Sequence, residues 1–177
     1  MQFPHKIAPC LWFDTQGEEA ARFYVGLFPN SRIVDIGHYS DDDHEVHGLE
    51  RVGSVMTVAF ELAGQSFLAL NGGPQFKFSE AISLIVYCED QTEVDYYWNA
   101  LAEDGGGQSH VCGWLKDRYG LSWQIAPKSV IALLVGTDKI KAATAMRAVM
   151  QMVKIDIATV ERAVAAGSIE MPSGTRA

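Results

Sequence analysis

Residues 7–18, IAPCLWFDTQGE, run from an apolar stretch into a turn and a Thr-x-x-Glu spacing, and residues 82–93, ISLIVYCEDQTE, repeat that order seventy-five positions later. In the first copy, residues 7–13 are β-prone and uninterrupted by charge, which predicts a buried strand. Thr15 and Glu18 have the spacing of a capping box, in which each side chain satisfies a backbone N–H at the opening of a helix. Ala20, Phe23, Tyr24, Leu27 and Phe28 then recur at helical spacing until Pro29 and Asn30 stop the helix. In the second copy, residues 82–88 are the buried strand and Asp90 with Glu93 is the cap. Val94, Tyr97, Trp98 and Leu101 mark its helix face, and Gly105, Gly106 and Gly107 end it.

The repeat extends beyond each helix. After the first come a strand over 32–39, a polar loop from Ser40 to His44, and a hairpin of 54–62 with 66–70 around Ala63, Gly64 and Gln65. After the second come short segments at 109–112, 114–118 and 121–126, with a tight turn at Tyr119 and Gly120. The pattern β-α-β-β-β therefore occurs twice, which predicts two copies of one supersecondary unit. The expected class is α+β. Tandem modules at about 5–73 and 80–127 make one domain of residues 1–127, and 128–177 form a helical extension. In that extension Asp138 to Met152 is read as a helix with Ile140, Ala143, Met146, Met150 and Val153 on its packing stripe. Asp156 caps a shorter helix through Ala166, Gly167 closes it, and residues 173–177 are expected to be disordered.

Composition agrees with that division. The 177 residues carry 14 basic and 22 acidic side chains, a formal charge of −8. Residues 1–128 hold 8 basic and 18 acidic groups and all 18 aromatics, whereas 129–177 hold 6 and 4. An acidic chain argues against nucleic acid and against anionic membrane surfaces as partners. No apolar run reaches the roughly 18 residues of a bilayer span, and residues 1–10 lack a signal-peptide core, so a cytoplasmic location is expected. Cys10, Cys88 and Cys112 are odd in number and far apart, which speaks against disulfides and against a CxxC metal site.

The segments CLWFDTQGEEAARFY, LALNGGPQFKF, VYCEDQTEVDYYW and CGWLKDRYGLSWQIAP resemble the glyoxalase, bleomycin-resistance and extradiol-dioxygenase superfamily, also called the vicinal oxygen chelate superfamily. Within it they resemble the PhnB-like branch, which carries the label "3-demethylubiquinone-9 3-methyltransferase" domain. The resemblance covers roughly residues 5–127. It implies that each module curls into half of an open barrel lining a ligand pocket, and that the protein is a homodimer. In metal-dependent members, it implies ligands on the first and last strand of each module. Those positions map here to Pro9 and Ala69 or Asn71, and to Ser83 and Gln124. Proline offers no side-chain donor and Ser, Ala and Asn are poor ligands, so no metal is predicted. Of the histidines, His44 and His47 sit by the acidic loop 41–45, while His5, His38 and His110 are isolated. The label suggests methyl transfer, yet Gly72–Gly73 leads into Pro74 and Gly105–Gly107 ends a helix, so neither opens a nucleotide-binding turn.

The candidate site rests on two groups of residues. His110 and Cys112, two apart on an expected strand, would share a face, and they are the candidate catalytic pair because a thiol needs a neighbouring base to act as a nucleophile. Trp12, Asn71, Phe76, Phe78, Trp114 and Gln124 are the candidate ligand-binding residues, aromatic walls with a few polar groups. Trp123 alternates with Gln124, and Gln124 is expected to face the pocket. The reading is a homodimer that binds or transforms a small, partly aromatic organic molecule, with no cofactor predicted. A divalent metal and S-adenosylmethionine stay open as alternatives. If it is an enzyme, it is a superfamily lyase or oxidoreductase, or a methyltransferase of a quinone-like substrate. If it is a binder, it is a non-catalytic, resistance-type sequestering dimer.

Overall fold

The computed structural model describes residues 6–40 and 51–167, so His5, His44, His47, the acidic loop 41–45 and the tail 173–177 lie outside the described residues. The chain divides into two compact units, Met1–Phe78 and Ser79–Ala177. In the first unit, β1 (Cys10–Phe13) leads to α1 (Gly17–Leu27), β2 (Arg32–His38), β3 (Val55–Leu62) and β4 (Gln65–Asn71). The sheet order is β1-β4-β3-β2; β1 lies parallel to β4, and the other pairs are antiparallel. The β3–β4 hairpin turns at Ala63 (φ 47°) and Gly64 (φ 86°), the left-handed pair that a two-residue hairpin requires. Helix α1 buries Ala20, Ala21, Tyr24 and Leu27. Tyr24 stacks on Phe60 at 6.5 Å and Phe60 on Phe67 at 5.4 Å, so the helix-facing side of the sheet is the core.

Two local expectations change here. The strand expected over 7–13 begins only at Cys10, and Ile7 is exposed. The cap expected from Thr15 is absent: Gln16 holds the cap position without a side-chain bond. Instead the Asn71 Oδ1, reaching across from the end of β4, accepts the Gly17 N–H at 2.7 Å. A residue 54 positions away does the capping because β4 ends beside the start of α1.

The second unit repeats the plan with β5 (Leu84–Cys88), α2 (Gln91–Trp98) continued by a π-helical turn (Asn99–Glu103), β6 (Gln108–Ser109), β7 (Trp114–Lys116) and β8 (Ser122–Pro127). Its order is β5-β8-β7-β6, with β5 parallel to β8. Here the predicted cap is present: the Asp90 Oδ1 accepts the Glu93 N–H at 3.0 Å, and the Glu93 carboxylate accepts the Glu89 N–H at 2.8 Å. The strand over 82–88, expected to be buried, begins at Leu84 and is buried only at Cys88; Leu84 and Val86 are half-buried, and Ile85 and Tyr87 are 44% and 55% exposed.

Helices α3 (Lys128–Val135), α4 (Lys139–Val149) and α5 (Ile157–Gly167) belong to this second unit. The Gln91 side chain ties them to α2, donating to the Ile155 carbonyl and accepting the Ile157 N–H. Asp138 caps α4 and Asp156 caps the start of α5, as the sequence indicates. The packing stripe of α4 is a correction. Ile140, Met146, Met150 and Val153 face outward, and α4 buries Ala145 and Val149. Small side chains let α4 lie close against α5, and the longer aliphatic ones are left to the outer face.

Candidate functional site

The antiparallel pair β7–β8 sets the site in the second unit. Its register places Trp114 opposite Gln124, Leu115 opposite Trp123 and Lys116 opposite Ser122. Leu115 and Trp123 are buried, so Trp114, Lys116, Ser122 and Gln124 fall on the opposite face of the strands. A buried carboxylate fixes that choice of face. The Asp117 Oδ2 accepts the Trp123 indole N–H at 2.8 Å, while Oδ1 accepts the Tyr119 and Leu121 N–H groups at 2.9 and 3.1 Å. The turn predicted at Tyr119 and Gly120 is thus built on Asp117, with Gly120 at φ 86°.

A cleft of about 380 Å³ opens here, lined by Glu80, His110, Val111, Cys112, Trp114 and Ser122 together with Leu115. That volume lies within the range of small-molecule pockets, and the lining is largely apolar. Ser122 is 1% exposed, and its hydroxyl has no hydrogen-bond partner. A buried hydroxyl without a partner costs stability. An ion pair of Lys116 and Glu80 at 2.6 Å adjoins the cleft, and the lysine's hydrogen bond holds the Glu80 carboxyl below the usual carboxylate range.

His110 and Cys112 line this cleft together, although not as expected. The strand foreseen over 109–112 ends at Ser109, and the two residues lie in the turn that joins β6 to β7. His110 donates its N–H to the Trp114 carbonyl, and Trp114 returns its own to Val111. Cys112 has φ 61° and Gly113 φ 76°, so the cysteine occupies a backbone region that costs a non-glycine residue on the order of 1–2 kcal/mol. The C-terminal helical segment holds it there: the Cys112 and Gly113 N–H groups donate to the Met152 and Val153 carbonyls, each at 2.8 Å. A side chain at Gly113 would press on the Ile125 carbonyl and on Ile155.

Trp114 joins His110 and Cys112 on the cleft, and the remaining predicted residues separate. Gln124 donates through Nε2 to the Ser83 Oγ at 2.9 Å. In the first unit, the Trp12 indole N–H donates to the Gly73 carbonyl at 2.8 Å and meets the exposed Phe76 edge-on at 4.8 Å. Phe78 meets Phe13 edge-on at 5.3 Å. Asn71 is occupied as the α1 cap, and its Nδ2 donates to the Val55 carbonyl. It also lines a first-unit cleft of about 480 Å³ with Asp14, Thr15, Tyr39, Arg51 and Ser54, none of which the sequence marked as a site residue. Ser122 was missed as well. A lone serine in a strand carries no sequence signal, and only its missing partner identifies it.

The donor sets can be tested against the groups that the resemblance implies. Among the described residues, no three His, Cys, Asp or Glu side chains gather into a group that could hold a metal ion. At the mapped ligand positions, the Pro9 carbonyl accepts the Leu68 N–H, and Ala69 and Asn71 turn toward Gly17 of α1. Ser83 and Gln124 bond each other. These residues do not fit the usual metal set. The glycine clusters do not fit a nucleotide cradle either. A Cβ at Gly72 would fall inside the Trp12 indole, and one at Gly107 would strike the Lys116 and Leu101 carbonyls. Packing within the chain accounts for both glycines.

The family model of 3-demethylubiquinone-9 3-methyltransferase matches residues 5–126. The PhnB protein of Bacillus cereus is 35% identical with a TM-score of 0.60, over 70% of this chain and 99% of that one. Protein PA1353 of Pseudomonas aeruginosa is 19% identical with a TM-score of 0.53, over 70% and 97%, and shows likeness of fold alone. None of the curated proteins matches.

Proposed function

We propose, for a chain that belongs to the 3-demethylubiquinone-9 3-methyltransferase family, the PhnB-like branch of the glyoxalase superfamily, that it binds a small, partly aromatic organic molecule in the second-unit cleft without the usual metal set. The observation that carries this reading is the largely apolar cleft itself, on whose wall Trp114, His110 and Cys112 meet. Trp114 supplies a flat apolar surface there, and the His110 imidazole a hydrogen-bonding group for a polar atom such as a carbonyl oxygen. His110 and Cys112 stand at the same cleft as the groups that chemistry would use. The test is calorimetric titration of the full chain with 2-acetylnaphthalene, a naphthoquinone and S-adenosylmethionine. Saturable binding of the ketone, weakened at least tenfold by Trp114→Ala, supports the reading. Binding of S-adenosylmethionine alone favours the methyl-transfer alternative and overturns it.

The partner we propose is a second copy of the chain, supported by the outward aliphatic face of Ile140, Met146 and Met150 on and beside α4. Sedimentation equilibrium tests this. A monomeric wild-type protein contradicts it.

A further inference from the structure

The first-unit cleft holds a charge arrangement that the fold does not use. Arg51 is half-buried, and its Nη1 donates to the Asn71 carbonyl at 3.2 Å and the Tyr39 hydroxyl at 3.4 Å. Its guanidinium lies 5.8 Å from the centre of the Tyr39 ring. These neutral partners fix the guanidinium in place without neutralising it. Among the described residues Arg51 makes no ion pair, in a chain where acidic side chains outnumber basic ones by 22 to 14. Asp14, on the wall of the same cleft, makes none among them either. Neighbouring Glu18, by contrast, is spent on Arg22 at 2.7 Å.

A partly desolvated cation without a counter-charge is costly unless an anion completes it, and a guanidinium is shaped to take a carboxylate through two parallel N–H bonds. Asp14 offers the complementary acceptor for an ammonium. Thr15 and Ser54 add hydroxyls, and Val55 adds an apolar contact. We propose that this cleft is a second binding site, distinct from that of the second unit, and that it takes a zwitterion of the α-amino-acid type. The carboxylate is held by Arg51 and the ammonium by Asp14. The cleft volume of about 480 Å³ accommodates an amino acid with an aromatic side chain.

The test is titration of the full chain with L-phenylalanine, with 3-phenylpropionate, which lacks the ammonium, and with phenethylamine, which lacks the carboxylate. L-Phenylalanine is expected to bind at least tenfold more tightly than either analogue. Arg51→Gln should weaken it by tenfold or more, and Arg51→Lys should retain part of the affinity. Because Arg51 also braces Tyr39 and Asn71, Asp14→Asn is the variant that leaves the fold alone. It should bring L-phenylalanine down to the affinity of 3-phenylpropionate. The proposal is overturned if L-phenylalanine does not bind, if it binds no better than its analogues, or if Asp14→Asn and Arg51→Gln bind it like the wild type.

Discussion

Replacing Ser122 by alanine should make the protein more stable and leave its binding unchanged. A buried hydroxyl without a partner forfeits about 1–3 kcal/mol of desolvation that no bond returns, and Ser122 at 1% exposure is such a group. Deleting the oxygen leaves a void of roughly 10–15 Å³, which at about 24 cal/mol per Å³ costs about 0.3 kcal/mol. The balance is a gain of about 1 kcal/mol, or a rise in Tm of about 2–4 °C for a chain of this length. The hydroxyl is closed off from the cleft, so affinity for 2-acetylnaphthalene should stay as in the wild type. Urea unfolding of both proteins gives the first quantity and calorimetry the second. A variant less stable than wild type by about 1 kcal/mol, or one whose affinity for the ketone falls tenfold, refutes the reasoning.

Asp117→Ala should cost about 3–5 kcal/mol in urea unfolding, because it strips the turn of its acceptor and leaves the Trp123 indole N–H buried without one. Met146→Glu with Met150→Glu should shift the sedimentation equilibrium toward monomer while leaving the circular dichroism spectrum intact. Asp95 is held below its ordinary value of 3.8, first by the hydrogen bond from Lys154 and then by that from Gln91. Its contribution is therefore full above pH 3.8 and lost as pH falls through the lower folded value, so the deficit of Asp95→Asn should shrink to nothing in that acid range. Burial, then the neighbouring Glu93, Asp90 and Glu89, push the Cys88 thiol up to about 12. The unfolded thiol ionises first, so stability should decline as pH rises from 9 toward 12, and Cys88→Ala should flatten that decline.

How much of this was legible in the sequence depends on which interactions are local. The repeated strand-and-cap pattern marked both modules, and the Asp90 cap was readable because its partner Glu93 is three residues away. The cap of α1 was not, since Asn71 comes from the far end of β4 and shows itself only once β1 and β4 are paired. The α4 stripe misled because periodicity reports which residues share a face and not whether that face meets the protein or the solvent. Alanines at 142, 145 and 148 mark the inner face more faintly than methionines mark the outer one. His110 and Cys112 were brought to one cleft by a left-handed turn rather than by strand alternation. Gly113 is the local mark of that turn, but two carbonyls near residue 152, far along the chain, hold Cys112 in it. Arg51 and Ser122 went unmarked because their significance lies in the partners they lack.

The central claim places ligand at the second-unit cleft, and Cys112 on its wall gives a direct reading. Alkylation of the folded protein by N-ethylmaleimide can be followed at each cysteine by peptide mass mapping, with the exposed Cys10 as an internal control. At saturating 2-acetylnaphthalene the rate at Cys112 should drop at least tenfold while that at Cys10 stays constant. Unchanged alkylation of Cys112 while the ketone is bound would contradict the account.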